Sequence, residues 1–544
     1  MASLKQWFRD SRAREALSFL PDAASSVELR IVGRTLLHAA LVGAAAGLVG
    51  AAFFAGLEYV QRFLLEDLGG YHPLRAAGED FLGPSSGPHR FRPWLLVVLP
   101  ALGALGSGIV SQLAPETRGG GGDAMIEAFH HHDGFIRRRV IWVKAIASLL
   151  TLGSGGAGGR EGPTMQIGGA LGSTVGRLLR VPRAERRVLM IAGVAAGIAA
   201  VFRTPLGAAL LAVEVLYHDD FESDALIPAV LASVVAYSVV ISIYGESTLF
   251  AQPSRFPFVP AHLWLYGLLA VLVAIIANVF LLTLRTVQSI TARLPLPGWA
   301  KPAVGGLALG IFAVPLVVLV GWRIGQPGQG LGLLGGGYGA VQLALSGSLF
   351  LPGGWAAVAL LGGMCLAKLF ASTLTIGTGG SAGDFAPSLV IGGLFGGAFG
   401  HAVQLLSNDP RINPAAFALI AMGTFYGGLA HAPLSSLIIV CELAGSYDLL
   451  VPLMLAEGIA FIALRKRSLY HAQLPSRRYS PAHREDSGLH PPFGAPSGSP
   501  PPTRDVPPPA SLPGTGPAAP ASTGPQEASH ASGAAVPPAP TPRT

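Results

Sequence analysis

Arg160 and Glu161 stand side by side inside a glycine-rich break, Gly153 to Gly176 (GSGGAGGREGPTMQIGGALGSTVG), between two long apolar runs. An ionisable residue is costly in hydrocarbon, so at that depth the pair must face protein or water and belong to a pathway. The glycines ahead of it allow tight turning, and Pro163 with the apolar residues that follow opens a helix whose N–H groups point back into the break. Such a helix end attracts anions. Glu161 is therefore the first candidate functional residue.

The stretch recurs. With Gly377 laid on Gly153, GTGGSAGDFAPSLVIGGLFGGAFG (Gly377 to Gly400) repeats most of its glycines, Gly153, Gly155, Gly156, Gly159, Gly168, Gly169, Gly172 and Gly176, and places Pro387 on Pro163. Further along, VFRTPLGAALLAVE (Val201 to Glu214) matches LAHAPLSSLIIVCE (Leu429 to Glu442), with Pro205 over Pro433 and Glu214 over Glu442. Paired broken helices in corresponding halves of an apolar chain predict a binding site near the bilayer midplane, where two repeats meet. The elements needed to position that site are apolar helices. With 51% hydrophobic and 12% charged residues in 544, the chain is a multi-pass membrane protein. The net charge of +7 sits at loops and ends between apolar runs, as positive-inside anchoring expects, and carries no nucleic-acid signal. Cys365 and Cys441 lie in apolar stretches and read as small core residues.

Along the chain, residues 1–26 form a polar N-terminal segment without a cleavable signal pattern. A membrane domain over 27–474 holds the two repeats, about 27–245 and 262–474. Its apolar runs include Val188 to Leu216 and Ala415 to Ala444, and several others are too short to span about 30 Å of hydrocarbon, so many must be half-helices. The remainder, 475–544, is rich in Pro, Ser, Ala and Gly and is expected to be a disordered tail. Arg9, Arg12 and Arg14 before the domain and Arg465 to Arg467, Arg477 and Arg478 after it predict that both termini are cytoplasmic, while the cluster from Arg177 to Arg187 has no assigned side. His130, His131 and His132 are expected in a solvated loop rather than a metal site, because adjacent histidines do not share one helix face. The glycine stretches lack the Lys-Ser/Thr ending of a phosphate loop, so no nucleotide is expected.

GREGP (Gly159 to Pro163), GDFAP (Gly383 to Pro387) and FRTPLGAALLAVE together resemble the CLC family of chloride channels and chloride/proton antiporters, over roughly Val27 to Leu474. The resemblance implies an all-α polytopic fold of two inverted repeats with many broken or tilted helices. It also implies a homodimer in a bacterial inner membrane, each subunit with its own pathway for chloride or a related anion, and no cofactor. Carried over position by position, Glu161 is the gate. The anion ligands are the backbone of Arg160 and Gly162, the backbone of Phe385 and Ala386, and the hydroxyl of Tyr470, whose alternative reading is an interfacial aromatic anchor. The alternative for Glu161 is a structural carboxylate paired with Arg160.

Two departures matter. Where the family usually has GSGIP, the chain has a glycine run. Gly120 then takes the place of the anion-contacting serine and Asp123 that of the proline, leaving backbone donors of Gly120, Gly121 and Gly122 and putting preference for chloride over nitrate in question. Antiporter members usually have a second glutamate directly after the position of Glu214, whereas this chain has Val215, as channel members commonly do. Valine carries no proton. The expectation is thus a chloride channel gated by Glu161 and not proton-coupled, with a chloride/proton antiporter as the alternative and fluoride or nitrate transport behind it. Glu214 and Glu442 read as structural, and the nucleotide-binding CBS domains often found in the family have no counterpart in 475–544. A hydrolase using Ser154 or Ser381 is the rival from another class, without a recognisable Ser-His spacing, so no enzyme is expected.

Overall fold

The computed structural model describes residues 25–484 apart from 80–82, 84–89, 251–255, 257–258 and 348–349. The N-terminal segment up to residue 24 and the tail from 485 onward lie outside the described residues.

Among the described residues, sixteen principal helices follow one another in two sets of eight. The first set is α1 (Ser25–Gln61), α2 (Pro93–Val110), α3 (Gly122–His131), α4 (Arg139–Gly153), α5 (Glu161–Leu178), α6 (Arg183–Phe202), α7 (Pro205–Glu214) and α8 (Ser223–Tyr244). The second is α9 (Leu263–Arg293), α10 (Lys301–Ile324), α11 (Tyr338–Ser346), α12 (Trp355–Gly377), α13 (Phe385–Ser407), α14 (Pro414–Ala430), α15 (Pro433–Ala444) and α16 (Leu450–Leu464). Among the described residues there are isolated bridges but no strands. Seven helices among the described residues are long and apolar enough to cross a bilayer, and α7, α14, α15 and α16 are shorter apolar pieces.

The two long apolar runs of the sequence each break in the same way. The first breaks at Arg203 and the second at His431, both left-handed (φ 59° and 54°), so each divides into a long and a short helix. In both, a residue and then a proline follow, and that proline starts the next helix (Pro205, Pro433). Once separated, α7 and α15 lie antiparallel and cap each other. Glu214 Oε1 and Oε2 accept from the N–H groups of Leu434 (3.1 Å) and Ser435 (2.8 Å), while Glu442 accepts from Leu206 (3.2 Å) and Gly207 (2.8 Å). This exchange is the signature of two inverted repeats, and it assigns both glutamates to structure. α11, which the hydropathy reading does not include, is the counterpart of α3. Both follow a left-handed glycine, Gly121 (φ 96°) and Gly337 (φ 87°).

Polarity is reversed relative to a water-soluble core. Ile462, Trp322 and Leu406 are about three-quarters exposed (75%, 74% and 74%), whereas Lys144, Lys368 and Glu161 are 0%, 1% and 1% exposed. Such an arrangement suits lipid outside and a polar pathway within.

The solvated-loop expectation for the histidines fails at His130. It lies in the last turn of α3, is 2% exposed, and its ring meets Ser480 Oγ (2.8 Å) and Leu216 O (3.0 Å), whereas His131 and His132 beside it are exposed. Its partner Ser480 belongs to residues 475–484, which composition assigns to the tail. These form a turn and a short helix held by side-chain polarity that a compositional reading does not weigh. Arg477 pairs with Glu222 (3.0 Å), His483 with Glu222 (2.8 Å), and Arg187 donates to Ala482 O (2.8 Å). Arg34 near the start of α1 pairs with Glu185 (2.8 Å). The Arg177 to Arg187 cluster therefore shares one face with the start of α1 and the chain after α16.

Candidate functional site

α5 and α13 begin alike. Their first two residues, Glu161–Gly162 and Phe385–Ala386, keep N–H groups at the open helix end; the third is proline, without an N–H. The fourth N–H turns back on the cap carbonyl, Thr164 to Arg160 (3.2 Å) and Ser388 to Asp384 (3.1 Å). The glycine breaks ahead of the two helices bond to each other, Gly159 N–H to Gly383 O (2.8 Å) and Gly383 N–H to Gly159 O (2.7 Å). Each repeat thus presents two donors beside those of the other, an arrangement suited to a dehydrated anion.

Glu161 reaches across this junction. Its Oε1 accepts from Ala386 N–H at 2.6 Å, and Oε2 is buried without a hydrogen-bond partner. The carboxylate of the first repeat therefore occupies the helix start of the second. The pairing of Glu161 with Arg160 does not form. Arg160 turns toward Glu79 (3.1 Å) and Glu58 (3.8 Å), with its guanidinium over Phe54 and Tyr338 (4.7 and 5.3 Å to the ring centroids).

Gly120, Gly121 and Gly122 run into the N-terminus of α3 against the same junction. A Cβ on Gly122 would lie 2.5 Å from the Tyr470 ring, and one on Gly120 would lie 3.4 Å from Asp384 Oδ2. Tyr470 is 3% exposed, and its hydroxyl donates to Asp384 Oδ1 (3.1 Å) and stands 3.5 Å from the Tyr426 hydroxyl, so it is an interior residue and not an interfacial anchor. A cavity of about 350 Å³ is walled by Gly120, Asp123, Asp384 and Tyr470 and reaches Arg285 and His471. Because Arg285 bonds to Ser468 O (3.3 Å), the cavity opens where the chain leaves α16.

Sequence reasoning missed three residues here. Asp384 fills the variable position of GDFAP and so carries none of the motif's signal, although an acid inside an apolar run is itself a signal. Lys144 and Lys368 fall on one another when the repeats are overlaid. Lys144 Nζ donates to Thr117 O (3.0 Å) and Gly119 O (2.6 Å); Lys368 Nζ donates to Gly335 O (2.6 Å), Leu333 O (3.2 Å) and Gly332 O (3.3 Å). Each buried ammonium holds the glycine loop ahead of α3 or α11. Val215 is not brought to the junction. It caps α7, fully buried, with its carbonyl accepting from Gln473 Nε2 (2.9 Å). Ser154 donates to Thr151 O (3.1 Å), and Ser381 bonds to Thr117 O (3.2 Å) and Ser148 Oγ (2.9 Å), so neither hydroxyl is poised on a histidine.

Helix starts from two inverted repeats, meeting at a carboxylate inside an apolar bundle, define a membrane transport protein for a small anion. A family model described as voltage gated chloride channel matches residues 102–465, and the chain belongs to that family, the CLC chloride channels and exchangers. It is 31% identical over 429 residues to an H(+)/Cl(-) exchange transporter ClcA of Salmonella arizonae, covering 77% of this chain and 83% of the relative. It is 29% identical over 438 residues to the protein of that name from Vibrio campbellii, covering 79% and 86%. Among solved structures, a slow cyanobacterial Cl-/H+ antiporter aligns with TM-score 0.66 at 23% identity, over 80% of this chain and 94% of that one. A CLC-type fluoride/proton antiporter aligns with TM-score 0.65 at 21% identity, over 82% and 98%.

These relatives overturn the passive-channel expectation, which rests on Val215. The sequence relatives are named as proton-coupled exchangers, and the similar folds are those of antiporters. The physical error lies in requiring the proton carrier at one position. A proton needs a titratable group somewhere on its route, and this interior holds acids elsewhere.

Proposed function

We propose that the protein exchanges chloride for protons across a bacterial inner membrane, with Glu161 as the group both ions contest. The observation that carries this reading is the Glu161 carboxylate seated on Ala386 N–H at 2.6 Å. Ionised, it satisfies donors that a chloride would use; protonated, it loses the charge that holds it at the helix end and yields them. Proton occupancy and anion occupancy at one helix start are then linked through a single side chain, which is the requirement for exchange. The anion ligands are the backbone donors at Gly120 to Gly122, Arg160 to Gly162 and Phe385 to Ala386, with the hydroxyl of Tyr470. The exchange transporters named above support the coupling, and the family resemblance supports a homodimer. The basic residues on the face shared by α1 and the chain after α16 support cytoplasmic termini.

Purified protein in liposomes tests this with chloride flux and internal pH followed together. An imposed chloride gradient is expected to drive protons uphill. Glu161→Gln is expected to keep chloride flux and abolish the proton movement. Wild-type chloride flux with no proton movement sinks the reading.

A further inference from the structure

Exchange passes a proton between Glu161 and water, and the cavity of about 350 Å³ walled by Gly120, Asp384 and Tyr470 is a vestibule on that route to which Val215 supplies no acid. Of the carboxylates lining that cavity, Glu116, Asp123, Glu127 and Asp384, Asp384 is the one that also flanks the helix start Glu161 occupies. Asp384 is the residue directly before α13, so it and Glu161 flank a single helix start: Glu161 Oε1 sits on Ala386 N–H (2.6 Å), and Asp384 Oδ1 accepts from the Tyr470 hydroxyl (3.1 Å). Asp384 also walls the cavity of about 350 Å³ that opens beside the end of α16. Its Oδ2 is 3.4 Å from where a Gly120 side chain would begin, so the carboxylate fills the space between Gly120 and Tyr470. Independently, Glu161 Oε2 is buried and has no partner, leaving an acceptor atom free on the neighbouring carboxylate. The groups facing Asp384 are Asp123 from α3, Lys144 from α4, Glu161 from α5, and Tyr426 and Tyr470. Lys144 is committed to Thr117 O and Gly119 O.

We infer that Asp384 is the proton-binding residue on the vestibule side of the exchange pathway, a tethered anion between Gly120 and Tyr470 that gives way when protonated. A proton from vestibule water neutralises Asp384, which releases the Tyr470 hydroxyl to a chloride arriving from the junction. The same proton then passes to the Glu161 carboxylate, and the ionised Asp384 returns to Tyr470 as the chloride leaves into the vestibule, so the two ions move in opposite directions. No bond other than O–H forms or breaks. The inference rests on the exchange reading, which it deepens.

The test is the proton-to-chloride ratio in liposomes for the wild type, Asp384→Asn and Asp384→Glu. Asp384→Asn keeps the shape but not the proton, and is expected to lower the ratio by about tenfold or more while chloride still flows. Its chloride flux should also lose its dependence on vestibule-side pH, and Asp384→Glu should retain coupling. Asp384→Asn with wild-type coupling overturns this inference and leaves the exchange reading standing. A wild type that moves no protons overturns both. If Asp384→Asn does not fold, the wild type is treated with dicyclohexylcarbodiimide, which couples to protonated carboxyls, and its peptides are weighed. An adduct on Asp384 that grows as pH falls supports the inference, and labelling of Glu161 with none on Asp384 at any pH overturns it.

Discussion

Gly162 has backbone on both sides: a Cβ there would lie 2.3 Å from Gly120 O and 2.8 Å from Gly383 Cα. Neither neighbour is a flexible side chain, so Gly162→Ala must push apart the helix starts that form the site. The expected result is a loss of about 1–3 kcal/mol of stability together with anion flux, read from thermal unfolding in detergent and from liposomes. Gly120→Ser is the contrast. Its first added atom meets nothing nearer than Asp384 Oδ2 at 3.4 Å, ordinary contact, so its unfolding is expected within about 0.5 kcal/mol of the wild type. Glu161 is legible in the sequence because the burial cost of an acid in an apolar break demands a compensating role there. Asp384 is equally visible in GDFAP, but the resemblance rests on the motif's glycine, phenylalanine and proline and is silent on its acid. The position of its carboxylate on Tyr470, 86 residues away, is not written in either segment.

At the scale of helices, the matched Pro-Leu starts and matched glutamates point to paired elements, and their structural role follows from how α7 and α15 lie. Each carboxylate serves two N–H groups of the opposite helix. Glu214→Ala or Glu442→Ala leaves two helix-end donors unsatisfied in a partly buried place. Each is expected to cost about 1–3 kcal/mol in thermal unfolding, without removing proton coupling from the protein that remains folded. A coupling loss in Glu214→Ala would move that residue from structure to the proton route. The breaks at Arg203 and His431 escape the hydropathy reading because apolar content does not change there. What changes is backbone handedness, followed by proline.

Across the whole described unit, residues 475–484 bind the region after α7 to α3 and α6 through Arg477, Ser480, Ala482 and His483. Glu222, 2% exposed, would lose Arg477 and His483 if the chain stopped at Leu474. A chain ending there is expected to lose about 3–5 kcal/mol relative to one ending at 489, measured as unfolding in detergent. Composition and repetition alone determined a membrane protein of two related halves, the glycine breaks, the two helix starts and Glu161. Those features are local, since burial cost in lipid and proline-glycine geometry act on a few neighbouring residues. Tertiary structure alone decided which donor Glu161 meets and where Arg160 turns. It also decided that Lys144 and Lys368 hold the glycine loops, and that Asp384 faces Tyr470. Each of these is a contact between segments distant in sequence, and only the antiparallel meeting of the repeats brings them together.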